Sequence, residues 1–99
     1  MVKHIVLWDF KEELSAEECK SAAARIKKEL EELKRLIPGI VYIKVCTETF
    51  DMCNTKLVLD SAFDDRAALE GYIAHPEHKR VGAFVRSVVA NRRSADFEA

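Results

Sequence analysis

A chain of 99 residues that is 48% hydrophobic and 33% charged makes one globular domain, close to the smallest size that folds alone. Its 16 basic and 17 acidic residues leave a net charge of −1, which removes any electrostatic case for nucleic acid or an anionic membrane as partner. No apolar run approaches the ~20 residues that span a bilayer, and the apolar patch of residues 1–9 is too short for a signal peptide and carries Asp9. Cys19, Cys46 and Cys53 form an odd set without a CxxC, so reduced, mostly buried thiols and a cytoplasmic location are expected.

Residues 3–10 alternate. His4, Val6, Trp8 and Phe10 point one way and Lys3, Ile5, Leu7 and Asp9 the other, which predicts a strand with apolar side chains on both faces. Ser15 and Glu18 make a capping box that opens a helix. Cys19, Ala22, Ala23, Ile26, Leu30, Leu33 and Ile37 form its apolar stripe, and Pro38-Gly39 ends it. Residues 40–48 and 56–63 read as two strands joined through a turn at Asp51–Asn54. Asp64 is the expected N-cap of a second helix running to about Ala74, with Leu69, Tyr72 and Ile73 as its buried side. That helix should stop near His75, because the residue before a proline avoids the α region. Pro76 then opens a further helical segment buried by Val81, Phe84 and Val85. Residues 91–98 read as a last strand.

The order β-α-β-β-α-β is the ferredoxin-like pattern of an α+β fold, with helices over one face of a four-stranded antiparallel sheet. Ile5 and Leu7 leave the other face apolar. A second copy of the chain would bury it, so a two-fold homodimer is expected.

The segment Tyr72-Ile73-Ala74-His75-Pro76-Glu77-His78 concentrates groups that donate, accept or carry protons near neutral pH. His75 stands where an N-cap belongs and reads as a junction residue tied to local backbone. The H-x-x-H spacing of His75 and His78 lacks the third and fourth convergent ligands that zinc requires unless His4 joins them, and no metal is expected. Gly71 and Gly82 lie inside helical stretches, where glycine costs up to ~1 kcal/mol against alanine, so each should have a packing or ligand-space reason. Trp8 and Phe10 share the face of His4 and line the same space or the core. Arg92-Arg93 with Lys79-Arg80 read as a solvated basic surface.

Val2-Lys3-His4-Ile5-Val6-Leu7, Ile37-Pro38-Gly39-Ile40, the stretch Ala68 to His78 with its HPxH motif, and Asp96-Phe97-Glu98 resemble the stress-responsive A/B barrel (Dabb) family along nearly the whole chain, residues 1–99 being a single such domain. The resemblance implies a dimeric ferredoxin-like barrel. In one branch, similar to the plant olivetolic acid cyclase type, the reactive groups match His4, Tyr72, His78 and Asp96 here. Such a site needs no cofactor. His78 would take a proton next to a carbonyl, Tyr72 would hydrogen-bond the enolate oxygen, His4 would support the opposing transfer, and Asp96 would orient a histidine. His75, Trp8 and Gly82 would bind ligand or hold the motif. The cyclase lines its alkyl pocket with aromatics of the first helix, but residues 15–37 contain none, so that lining does not carry over. Some family members hold a cation on main-chain carbonyls after the first helix, which matches Ile37-Pro38-Gly39-Ile40.

The functions implied are binding of a small, partly apolar carbonyl compound, with cofactor-free aldol cyclase or related proton-transfer chemistry. A non-catalytic structural or partner-binding dimer related to stress, and a cofactor-free monooxygenase of the same barrel fold, are the alternatives. Whether the chain is an enzyme is left open at the level of sequence.

Overall fold

Strand alternation and one proline explain most of the architecture. The computed structural model describes residues 1–99. In chain order the elements are β1 (Val2–Phe10), α1 (Ala16–Leu36), β2 (Ile40–Cys46), β3 (Leu57–Phe63), α2 (Arg66–Ala74), α3 (Pro76–Val88) and β4 (Val89–Glu98). The sheet order is β2-β3-β1-β4, with every neighbouring pair antiparallel. This is the ferredoxin-like arrangement.

β1 is a central strand and divides its side chains between two environments. His4, Val6 and Trp8 face the helices and are buried. Their partners on β3 are Ser61, Leu59 and Leu57, which are also buried. Lys3, Ile5 and Leu7 stand on the opposite, open face with Val58, Asp60 and Ala62 of β3 and with Arg93, Ala95 and Phe97 of β4. On that face the Lys3 ammonium bonds the Asp60 carboxylate at 2.7 Å and also the Tyr42 hydroxyl, which donates to Asp60 at 3.0 Å.

Ser15 caps α1 through the full reciprocal box: its hydroxyl accepts from Glu18 N, and the Glu18 carboxylate accepts from Ser15 N. Such a cap contributes about 1 kcal/mol. Ala22, Ala23, Ile26, Leu30 and Leu33 pack α1 onto the sheet. His75 has extended backbone (ψ 136°), as the following proline demands. It therefore closes α2 and caps α3 at once, its Nδ1 accepting from Glu77 N at 3.1 Å.

Five expectations are corrected. The N-cap of α2 is Asp65, whose carboxylate accepts from Ala68 N at 2.8 Å; the Asp64 amide instead donates to Gly39 O and ties the helix start to the turn between α1 and β2. Ile73 is exposed, because α2 is short and only Leu69 and Tyr72 reach the core. Cys46 and Cys53 are exposed and Cys19 is half-buried. Cys46 lies on the open face of an edge strand and Cys53 in the β2–β3 loop, where hydrogen bonds with Thr49 and Thr55 hold its thiol below the ordinary value. β4 starts at Val89, two residues early, because it runs directly out of α3. Gly71 has open space where a Cβ would stand and so has no packing reason.

Gly39 is the opposite case. Its φ is +89°, and a Cβ there would lie 2.7 Å from the Ala68 Cβ of α2. We expect Gly39→Ala to destabilise the fold by roughly 2–4 kcal/mol, from positive-φ strain and the clash together. Gly71→Ala should stabilise it by about 0.5–1 kcal/mol through helix propensity alone. Urea unfolding of both variants checks the pair; equal effects at the two glycines would contradict it.

Candidate active site

The helix break seats two rings of the HPxH segment over the buried face of β1. Tyr72, in the last turn of α2, is 1% exposed. Its ring packs against Phe63 at 4.9 Å between centroids, His4 at 6.1 Å and His78 at 4.3 Å. His78 reaches this cluster from the first turn of α3 and stays half-buried. Four aromatic rings from β1, β3, α2 and α3 thus meet beneath the junction made by His75 and Pro76.

Each polar atom in the cluster has a distinct situation. His4 Nδ1 meets Asp96 Oδ1 at 2.5 Å, across the register pair His4↔Asp96 of β1 and β4. A carboxylate only accepts, so His4 carries its proton on Nδ1 and leaves Nε2 without a protein partner. His78 Nδ1 lies 3.3 Å from Ile73 O; a carbonyl also only accepts, so this nitrogen is the donor and Nε2 is again the unengaged one. Burial, with smaller effects from His4, Arg86 and Arg92, holds the His78 pKa below 6.5 despite its bond to Ile73, which favours the neutral ring at pH 7. The Tyr72 hydroxyl is the buried side-chain polar atom that finds no partner within the protein. Burial pushes its pKa well above the ordinary 10, with Arg92 opposing in part, so the phenol keeps its proton.

These groups line one cleft of about 530 Å³ between the sheet, α1 and α3. Its apolar wall includes Val6, Trp8, Leu30 and Val85. Gly82 lies on the same wall one turn after His78, and a Cβ there would come within 3.1 Å of Arg86 Nη1. The missing side chain therefore makes room for the Arg86 guanidinium, the reason that spacing alone had left open.

Of the residues singled out in the sequence, the structure brings His4, Tyr72, His78, Trp8 and Gly82 into this cleft, with Asp96 directly behind His4. His75 stands apart, its Nδ1 taken by the Glu77 amide. Phe10 packs against the core rather than the cleft. No three His, Cys, Asp or Glu side chains converge on one point. The Gly39 and Ile40 carbonyls, at the segment matching the family's cation site, accept from Asp64 N at 3.0 Å and from Lys34 Nζ at 3.3 Å.

Sequence reasoning missed three cleft residues: Arg86, Asn91 and Arg92. Arg92 is exposed, as the reading of a solvated surface has it, and also lines the cleft. The signal for Arg86 was present, since His78, Gly82 and Arg86 recur every four residues on one helix face. The signal for Arg92 was absent. β4 carries two residues, Asn91 and Arg92, between the pairs Leu7↔Arg93 and Asp9↔Ala90, where β1 has only Trp8. This bulge, with Asn91 at φ +57° and its amide on Asp9 Oδ2 at 3.0 Å, places the two residues across from Trp8 along the strand, where they border both the cleft and the open face.

With the fold and cleft described, similarity to known proteins becomes informative. Residues 2–99 match the Stress Responsive A/B Barrel Domain. The chain belongs to this family, Dabb. A dimeric protein of unknown function with a ferredoxin-like fold from Bacteroides fragilis is 28% identical; the match covers 99% of this chain and 95% of that one, with a TM-score of 0.92. A dimeric ferredoxin-like protein of unknown function from Thermobifida fusca is 17% identical over 99% of this chain and 90% of its own, with a TM-score of 0.83. A hydroxynitrile lyase from Passiflora edulis is 16% identical over 97% of this chain and 90% of its own, with a TM-score of 0.79. No curated protein matches the Dabb chain by sequence. At such identities the last two share the fold, and a fold alone assigns no chemistry. No helix is long and apolar enough to cross a membrane.

Two outcomes follow from this geometry. Tyr72→Phe removes a buried hydroxyl that has no partner to lose, so stability should be unchanged or rise by about 1 kcal/mol in thermal unfolding; a loss of similar size would mean that the hydroxyl is a structural tie. In an NMR titration the His78 ring should titrate below 6.5, the value of the unfolded chain. The unfolded chain binds the proton first as pH drops. The stability linked to neutral His78 is therefore complete above about 6.5 and falls away as pH passes down through the folded value. His78→Gln should flatten that part of the stability–pH curve.

Proposed function

We propose that the cleft binds a small, partly apolar carbonyl compound and moves a proton at the carbon beside the carbonyl, without a cofactor. The observation that carries this reading is the Tyr72 hydroxyl: a buried, protonated donor without a protein partner, beside a histidine kept neutral.

His78 Nε2 is the base. Its other nitrogen is held by Ile73 O, which fixes the tautomer with the lone pair on Nε2. It takes the acidic proton from carbon, and the electron pair moves into an enolate whose oxygen accepts the Tyr72 hydrogen bond. In an aldol closure the enolate carbon then attacks a second carbonyl carbon, and the resulting alkoxide takes the proton back from the protonated His78. Asp96 orients His4 through Nδ1. Isomerisation and retro-aldol lyase steps use the same groups in the same states. A lyase is found on this fold in Passiflora edulis, but the assignment here rests on the residues of this chain.

The same reading pairs two copies through the open face of the sheet. Ile5, Leu7 and Phe97 supply apolar surface there, and the Lys3–Asp60–Tyr42 cluster has its hydrogen bonds made before association. The Bacteroides fragilis and Thermobifida fusca proteins are described as dimeric.

Thermal-shift measurements against β-diketones, polyketide-like acids and quinols provide the test, followed by turnover assays on any ligand that binds. His78→Ala should lower turnover by roughly 10²–10⁴-fold, the usual worth of a general base. Tyr72→Phe should lower it by about 10²–10³-fold, as loss of an oxyanion donor does, with no loss of melting temperature. If wild type gains no stability from any of these compounds and His78→Ala only lowers the melting temperature, the motif is structural and the domain acts through a protein partner.

A further inference from the structure

The charge around the cleft is one-sided. Its lining contains two arginines, Arg86 and Arg92, and no aspartate or glutamate. Elsewhere on the helices the guanidinium groups are matched: Arg25 with Glu29, Arg35 with Glu32, Arg66 with Glu70, and Arg80 with both Glu77 and Glu29. The Arg86 guanidinium has no carboxylate within ion-pair distance and makes no hydrogen bond, and the one side-chain hydrogen bond of Arg92 is to the Ser94 hydroxyl at 3.4 Å. Two local features hold these cations at the cleft. Gly82, in a helix interior that disfavours glycine, leaves the space that the Arg86 guanidinium fills. The bulge at Asn91 and Arg92, with Asn91 left-handed, places Arg92 at the rim that the cleft shares with the open face. The orphaned Tyr72 hydroxyl, on the same cleft, is a third donor without a protein acceptor.

We propose that this cleft selects an anionic ligand, a small oxo acid whose carboxylate pairs with Arg86 and Arg92 while its carbonyl oxygen meets Tyr72. The inference rests on the reading of the cleft as a ligand site and adds the class of molecule. Guanidinium groups bind carboxylates in bidentate, charge-assisted geometry, which neutral diketones and esters cannot reproduce. The apolar wall of Val6, Trp8, Leu30 and Val85 receives the remainder of the molecule. A negative charge between the arginines also ties ligand entry to ionic strength, since both side chains are exposed to screening.

The test is calorimetric titration of 2-oxo-4-phenylbutanoate and of its ethyl ester, two probes that differ at the carboxylate. Wild type should bind the acid at least about tenfold more tightly than the ester, as one charge-assisted contact provides. Arg86→Gln/Arg92→Gln should remove that preference and leave the affinity for the ester unchanged. Arg86→Lys/Arg92→Lys should keep part of it, because the charge persists while the planar fork is lost. Equal binding of acid and ester, with both weakened by Tyr72→Phe, overturns the anion selection and leaves the cleft reading intact. A preference for the acid that survives in the double glutamine variant overturns the assignment to these two arginines. Binding of neither probe at millimolar concentration overturns both the anion selection and the cleft reading on which it rests.

Discussion

The ring of Tyr72 holds this site together. It is the largest fully buried side chain of the protein, and it touches β1 through His4, β3 through Phe63 and α3 through His78. Aromatic contacts of this kind contribute about 0.5–1.5 kcal/mol each beyond the area they bury. They are enough to orient a nine-residue helix that offers only Leu69 and Tyr72 to the core. Without that anchor α2 has no fixed rotation, and the break at His75–Pro76 would not deliver His78 to the same place.

β1 converts that local arrangement into a molecule with two different faces. Because side chains alternate on a strand, the residues that build the cleft (His4, Val6, Trp8) and those on the open face (Lys3, Ile5, Leu7) interleave on one backbone. A slip of one residue in the β1–β4 register would separate His4 from Asp96 and exchange the faces. The contacts of β1 with both β3 and β4 make such a slip costly, so the geometry of the site is protected by an inner strand of the sheet.

Much of this could be read from the residues, and the failures have identifiable causes. The alternation of residues 3–10, the Ser15–Glu18 box and the proline after His75 are local rules, and each appears in the structure as read. The partner of Asp96 needed strand register, which residue patterns specify only as far as the face. Asp64 and Asp65 are both good caps, and the choice fell to a tertiary contact, the Asp64 amide on Gly39 O. Ile73 looked buried because its neighbours are; a helix of two and a half turns has too narrow a buried stripe to include it. The bulge at Asn91–Arg92 has no signature in the neighbouring residues, and so the place of Arg92 at the cleft was not legible, although its exposure was.

The polar groups of the motif do not all satisfy one another. His4 is bonded to Asp96 and His78 to Ile73 O, while neither bonds Tyr72. The hydroxyl between them has no share in a closed network, and leaving a buried hydroxyl unpaired costs roughly 1–3 kcal/mol in a domain whose net stability is of order 5–15 kcal/mol. Phenylalanine would fill the same volume without that cost. Under the proposed function, a tyrosine kept here at such expense, with two histidines whose Nε2 atoms are also unengaged, serves as donor and acceptor for a group that comes from outside the chain.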